Sequence, residues 1–277
     1  MINLPRLLQN DRVVLNDIIQ SKREPAKTRL LRVQDNILSA YLNYYKNRHN
    51  LERITADSSI DEETAKILND AYKTGKVIDG VKTKITEVMP PAIKEKCPYC
   101  MLSEPGTFDH YIGKGEFPEF SILSKNLVPC CSKCNSKKGE KFISESGKRI
   151  FISFYFDELP QNSFWKVELD IDSDVPYIKN MYINSNTGTQ IDEIIESHFK
   201  ELELFNRYMN PMSNKLSLLI SRFQGTKQSK DDIVDVITNE IHALKKIYGP
   251  NYWECSLYTA AINNTDIMDY LDNISNP

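Results

Sequence analysis

Two C-x-x-C pairs, Cys97/Cys100 and Cys131/Cys134, constrain this chain more than any other feature. Each pair can turn two thiolates toward one ion, and two pairs complete the tetrahedral sulfur set that zinc prefers. The competing readings are a disulfide framework or four unrelated buried thiols. Four sulfurs close the coordination sphere, so such a zinc would be structural and chemistry must lie elsewhere. Cys130 abuts the second pair and could stand in for Cys131, but C-x-x-C matches the first pair better. Cys255, alone near Trp253, reads as a small buried apolar residue.

The insert between the pairs is longer than in a bare zinc ribbon and must hold structure of its own. A short hairpin around Asp109-His110, followed by a helix opening near Cys134, fits the available length. An acid beside a histidine is, by itself, as easily a turn with a solvated carboxylate and a packed imidazole. Position between the knuckles changes the weighing, because Asn135 directly follows the last cysteine. A carboxylate and an amide oxygen are hard ligands suited to Mg²⁺. A neutral imidazole nearby can take a proton from water near pH 7. Together with cations for the flanking backbone, these are the parts that phosphodiester hydrolysis needs.

The order C-P-Y-C, D-H-Y, N-L-V-P-C-C-x-x-C-N-x-x-K-G, over roughly residues 96–142, resembles the HNH endonucleases of the ββα-metal (His-Me finger) group. The resemblance implies that His110 is the general base and that Asp109 ligates a single catalytic Mg²⁺ or Mn²⁺. It also implies that Asn126 braces the loop holding the base and that Asn135 is the second protein ligand. HNH proteins of similar build resemble effector nucleases of bacterial anti-phage defence systems, often encoded beside an ATPase. A partner ATPase is therefore expected by resemblance alone.

The chain has 277 residues, 40% hydrophobic and 26% charged, with a net charge of −3. That balance excludes a histone-like binder, whereas a nuclease needs only a local basic patch. Lys125, Lys133, Lys137, Lys138, Lys141, Lys148 and Arg149 supply a local excess around the second knuckle. Lys133, Lys137, Lys138 and Lys141 are the candidate nucleic-acid contacts, solubility charges being the other reading. Arg23, Lys27, Arg29, Arg32, Lys46 and Arg48 form a second basic set, either a solvated helix face or a phosphate-gripping arm. No run approaches about 18 apolar residues, and the first residues lack the apolar core of a signal peptide, so a cytoplasmic protein without a membrane segment is expected.

Helical periodicity covers residues 1–91, with Gly75 and Gly80 as punctuation and Pro90-Pro91 as the stop. After the HNH stretch at 92–148, three β-branched and aromatic runs in 149–186 predict a small antiparallel sheet. Asp170, Asp172 and Asp174 there read as a solvated edge, or less readily as a second metal site. Residues 187–277 return to helical spacing, and His198 and His242 within them read as surface or packed residues. The expected class is α+β: a ββα-metal core stapled by a four-cysteine zinc site, flanked by helical regions and a small antiparallel sheet. No Gly-rich phosphate loop is present, so the chain carries no ATPase of its own.

The expected function is metal-dependent endonucleolytic cleavage of DNA, with RNA as the alternative substrate and self-association through the helical arms left open. The rival is a zinc-stabilised nucleic-acid-binding module without catalysis, which would not need Asp109, His110 and Asn135 together.

Overall fold

The computed structural model describes residues 1–5 and 7–277. It is α+β, with eleven α-helices and two separate two-stranded antiparallel sheets among the described residues. None of these helices is long and apolar enough to cross a membrane. The chain divides into two compact units, one of Asn3–Tyr99 and Ser103–Asp157, the other of Met1–Ile2, Cys100–Leu102 and Glu158–Pro277.

The first unit opens with α1 (Asp11–Ser21) and α2 (Ala26–Lys46). Asn10 caps α1, its side chain accepting from the amides of Arg12 and Val13. Leu15, Ile18 and Ile19 of α1 and Leu30, Ile37 and Tyr44 of α2 make the buried stripes that their spacing dictates. Helices α3 (Glu62–Lys73) and α4 (Lys76–Glu87) follow, then the single turn α5 (Pro91–Lys94). Asp61 caps α3 through the Thr64 amide. Gly75 does punctuate, standing at the N-cap of α4, but Gly80 lies inside that helix. No neighbouring atom lies where a Gly80 side chain would be, so packing does not demand glycine there, and the helix forms around it while burying Ile78, Val81 and Ile85.

Strand β1 (Thr107–His110) pairs antiparallel with β2 (Leu127–Cys130), Asp109 standing opposite Val128 and His110 opposite Leu127. Helix α6 (Ser132–Lys138) leaves β2 within two residues. Between the strands, Phe117 and Phe120 stack at 6.2 Å and pack on Phe142 and Tyr44, so the Phe117–Phe120 segment caps the small core.

The run 149–156 is not a strand. Every side chain in it is buried, so there is no exposed face for alternation to serve. Its backbone is instead folded on itself: the Ser153 amide donates to the Asp157 carboxylate at 2.8 Å, and the Asp157 amide to the Ser153 carbonyl at 2.9 Å. Arg149 is drawn inward with it, its guanidinium ion-paired to Asp157 at 2.9 Å and to Glu52 at 3.2 Å.

In the second unit, the other two runs form the hairpin β3 (Trp165–Asp172) and β4 (Val175–Ile183). Ser173 and Asp174 both have positive φ, the conformation that a two-residue hairpin turn demands. Trp165, Val167 and Leu169 point inward while Lys166 and Glu168 face solvent. Five helices complete the unit: α7 (Gln190–Glu201), α8 (Leu204–Phe223), α9 (Lys230–Tyr248), α10 (Trp253–Ile262) and α11 (Thr265–Ser275). Helix α10 is buried along most of its length, Cys255 included, and packs on β3 and α9. His198 is buried and His242 exposed.

Candidate active site and metal centre

The first knuckle closes when the Cys97 amide donates to the Ser103 carbonyl at 2.7 Å, with Met101 in a left-handed conformation at the turn. The second closes as the N-cap of α6, where the Cys131 sulfur accepts from the Cys134 amide. The sulfurs of Cys97, Cys100, Cys131 and Cys134 all lie within 4.8 Å of one another and are buried. Tetrahedral zinc with bonds of about 2.3 Å puts its sulfurs about 3.8 Å apart, so this donor set fits a metal ion such as zinc. Cys130 is outside the cluster: its thiol lies 3.5 Å from the Thr107 hydroxyl, and burial pushes it up to about 12. Asp170 is likewise engaged elsewhere, with Lys179 at 2.8 Å.

Helix α6 is laced to β1 at two points. The Asn135 amide donates to the Thr107 hydroxyl at 3.1 Å, and one turn later the Lys138 ammonium reaches both Asp109 oxygens at 3.2 and 3.1 Å. Lys138 also donates to the His110 carbonyl at 2.7 Å. The Tyr99 hydroxyl, from inside the first knuckle, donates to Asp109 Oδ2 at 2.7 Å. Burial raises the Asp109 carboxyl above the ordinary range, and the Lys138 cation opposes that shift. Asp109 is thus engaged by Lys138 and Tyr99, whereas Asn135 uses only its amide nitrogen on Thr107 and keeps its Oδ1 as an acceptor. A divalent cation at Asp109 would have to compete with the Lys138 ammonium.

His110 ends β1 nearly enclosed, 6% exposed. Its Nε2 lies 2.9 Å from the Ser121 carbonyl. A carbonyl can only accept, so Nε2 carries the proton and Nδ1 keeps its lone pair. Burial lowers the imidazole from its usual value to about 3, so the ring is neutral near pH 7. The Tyr72 ring of α3 meets it edge-on, centroids 4.2 Å apart. Asn126 is fully buried and holds the chain after the histidine. Its Oδ1 accepts from the Ile112 amide at 2.8 Å, and its Nδ2 donates to the Ile112 and Phe120 carbonyls at 3.0 and 3.1 Å. The carbonyl that orients His110 lies on the residue after Phe120, so Asn126 fixes both ends of that loop.

Of the four candidate nucleic-acid lysines, Lys133 and Lys141 are exposed, Lys137 is half-buried, and Lys138 points inward to Asp109. Lys125 and Arg149 are also interior, so the basic surface at α6 is smaller than the sequence suggests. Other residues come to His110 that its sequence neighbourhood could not indicate. Tyr72 arrives from α3, Lys82 sits with its ammonium 4.1 Å from the Tyr72 ring centroid, and Lys114 lies 5.6 Å from the same centroid. Tyr99 was visible as the residue inside the first C-x-x-C, but nothing in the spacing marked its hydroxyl as an Asp109 partner.

Over 94 residues, the chain is 30% identical to a curated bacterial protein. That relative is the Septu protein PtuB of Bacillus thuringiensis. The match covers 32% of this chain and 36% of PtuB. Protein ea31 of Escherichia phage lambda is 25% identical over 191 residues, which cover 63% of this chain and 64% of that protein. The chain thus spans less than two thirds of either curated relative. No family model matches it, and no solved structure matches it.

Proposed function

We propose that the chain is an HNH-type endonuclease that hydrolyses phosphodiester bonds in DNA, with residues 92–148 as its ββα-metal nuclease core. The observation that carries this reading is the orientation of His110: its Nε2–H is tied to a backbone carbonyl, which leaves the Nδ1 lone pair as acceptor. In that role Nδ1 takes a proton from the attacking water as oxygen bonds to phosphorus and the ester oxygen leaves. Asn126 keeps the ring in place through the loop it braces. Zinc held by the four cysteines would fix the knuckles against α6 and supply stability rather than chemistry.

The requirement for Mg²⁺ or Mn²⁺ rests on the resemblance alone, since Asp109 is taken up by Lys138 and Tyr99, while the Asn135 oxygen is left as a ligand for it. Those same engagements favour the second reading, a zinc-stabilised nucleic-acid-binding module without catalysis. The partial similarity to a Septu protein supports a role as a defence effector acting with a partner, for which an ATPase is the expectation.

Incubation of the purified protein with supercoiled plasmid and Mg²⁺ or Mn²⁺ tests the proposal, with His110→Ala and EDTA alongside. Nicking that falls by about 10² or more in His110→Ala, zinc content unchanged, is the expected result. Equal cutting by the variant removes His110 from the mechanism. DNA retained in a gel shift but left intact, with or without an added partner, supports the binding module.

A further inference from the structure

We infer that Lys82 and Lys114 form a phosphate-binding subsite beside His110, assembled on the Tyr72 ring, for the DNA backbone next to the bond to be cut. The inference rests on the nuclease reading and extends the active site into the helical region at the N-terminal side. Tyr72, Lys82 and Lys114 come from α3, from α4 and from the loop after β1, and all three are half-buried, within reach of a ligand.

Tyr72 is the fixed member. Its hydroxyl donates to the Phe108 carbonyl on β1 at 2.8 Å, and its ring edge lies against His110. Lys82 places its ammonium 4.1 Å from the centre of that ring and donates to the Tyr72 carbonyl at 3.0 Å. No described carboxylate lies within ion-pair distance of Lys82, and burial lowers its ammonium below the usual lysine value. Asp79, one turn earlier on α4, acts on Lys82 only at longer range, and a cation held on an aromatic face with no ion-paired carboxylate is a ready phosphate donor.

Lys114 is positioned by a clamp. The Glu140 carboxylate accepts from the Gly115 amide at 3.0 Å, and a side-chain carbon at Gly113 would overlap Glu140, so the loop needs glycine there to close on it. Glu140 lies 3.9 Å from the Lys114 ammonium in a pair that water screens, so a phosphate can compete for that charge. With Lys138 committed to Asp109, Lys82 and Lys114 are the cations near His110 that remain for a substrate.

The test separates binding from cutting. Fluorescence anisotropy with a short labelled DNA duplex, titrated in EDTA across a salt series, compares the parent chain with Lys82→Met, Lys114→Met, the two arginine variants and Lys179→Met on the β3–β4 hairpin. Each methionine variant should weaken binding and lower the slope of log affinity against log salt by about 0.9, while arginine at either position and Lys179→Met keep the parent slope. Unchanged slopes in both methionine variants, or no binding by the parent at low salt, overturn the subsite. In the plasmid assay the methionine variants should raise KM more than they lower kcat. Binding that depends on both lysines in a protein that never cuts would sustain the subsite and sink the nuclease reading.

Discussion

Among the described residues, every buried charged side chain lies in the unit of helices α1–α6 and the β1–β2 hairpin: Asp11, Asp109, Glu119, Lys125, Lys138, Arg149 and Asp157. The unit of the β3–β4 hairpin and helices α7–α11 buries only His198, Asn251, Ser256 and Ser275 among polar residues. Burying a charge costs several kcal/mol before any partner returns it, and an apolar replacement of similar volume is often as stable. Stability alone therefore explains the second interior and not the first. The first unit carries buried ion pairs where the proposed chemistry sits, which is where departures from the cheapest core are expected.

The largest effect expected on this contrast comes from the cysteines. Cys134→Ser should lose the bound metal, read by elemental analysis, and residues 92–148 should lose amide protection while the helices of residues 187–277 retain theirs. Structural zinc contributes on the order of 10 kcal/mol or more to folding of small metal-held modules. Even loss of protection along the whole chain would break the distinction between the two interiors.

Lys138→Met comes next. It leaves Asp109 buried without its cation, which should cost roughly 3–5 kcal/mol in urea unfolding, and adding Asp109→Asn should return part of that. A neutral result for Lys138→Met would mean that Asp109 is protonated or solvated in the folded protein.

Glu119 offers a pH handle on the same interior. Its Oε1 accepts from the Asp57 amide at 3.1 Å, its Oε2 is buried with no hydrogen-bond partner, and burial pushes its carboxyl up to about 7. A folded-state value above the unfolded one means that the folded protein holds the proton more tightly. The contribution is therefore fullest below the unfolded carboxylate range and is lost as pH rises toward and through 7. Thermal unfolding between pH 5 and 8 should reveal this decline, and Glu119→Gln should flatten it. A parallel decline in the variant would assign the effect to another group.

The smallest effect belongs to the other unit. Lys179→Ala removes the exposed pair with Asp170 and should leave the melting temperature unchanged within error, since such pairs are screened by water and salt. A drop comparable with that of Lys138→Met would erase the comparison.

Local spacing settled a good deal before any fold was known. Each C-x-x-C pair is short-range geometry that sets two sulfurs side by side, and the pairing of the two as one donor set was the expectation that the fold meets. Apolar residues at helical period foretold α1 through α3 and α7 through α9, and the acid-rich start at Asp61 foretold the opening of α3, because such signals act within a turn or two of chain; α4 was hidden by Gly75 and Gly80, which read as breaks. The tertiary structure alone decided which lysines face water, since Lys133 and Lys138 look alike in sequence and differ only in what α6 packs against. It also decided that 149–156 folds as buried turns rather than a strand, as a run apolar on both sides contains no period to read. Tyr72 and Lys82 reach His110 across a gap of some tens of residues, and contacts of that range arise from the packing of α3 and α4 rather than from neighbours in the chain.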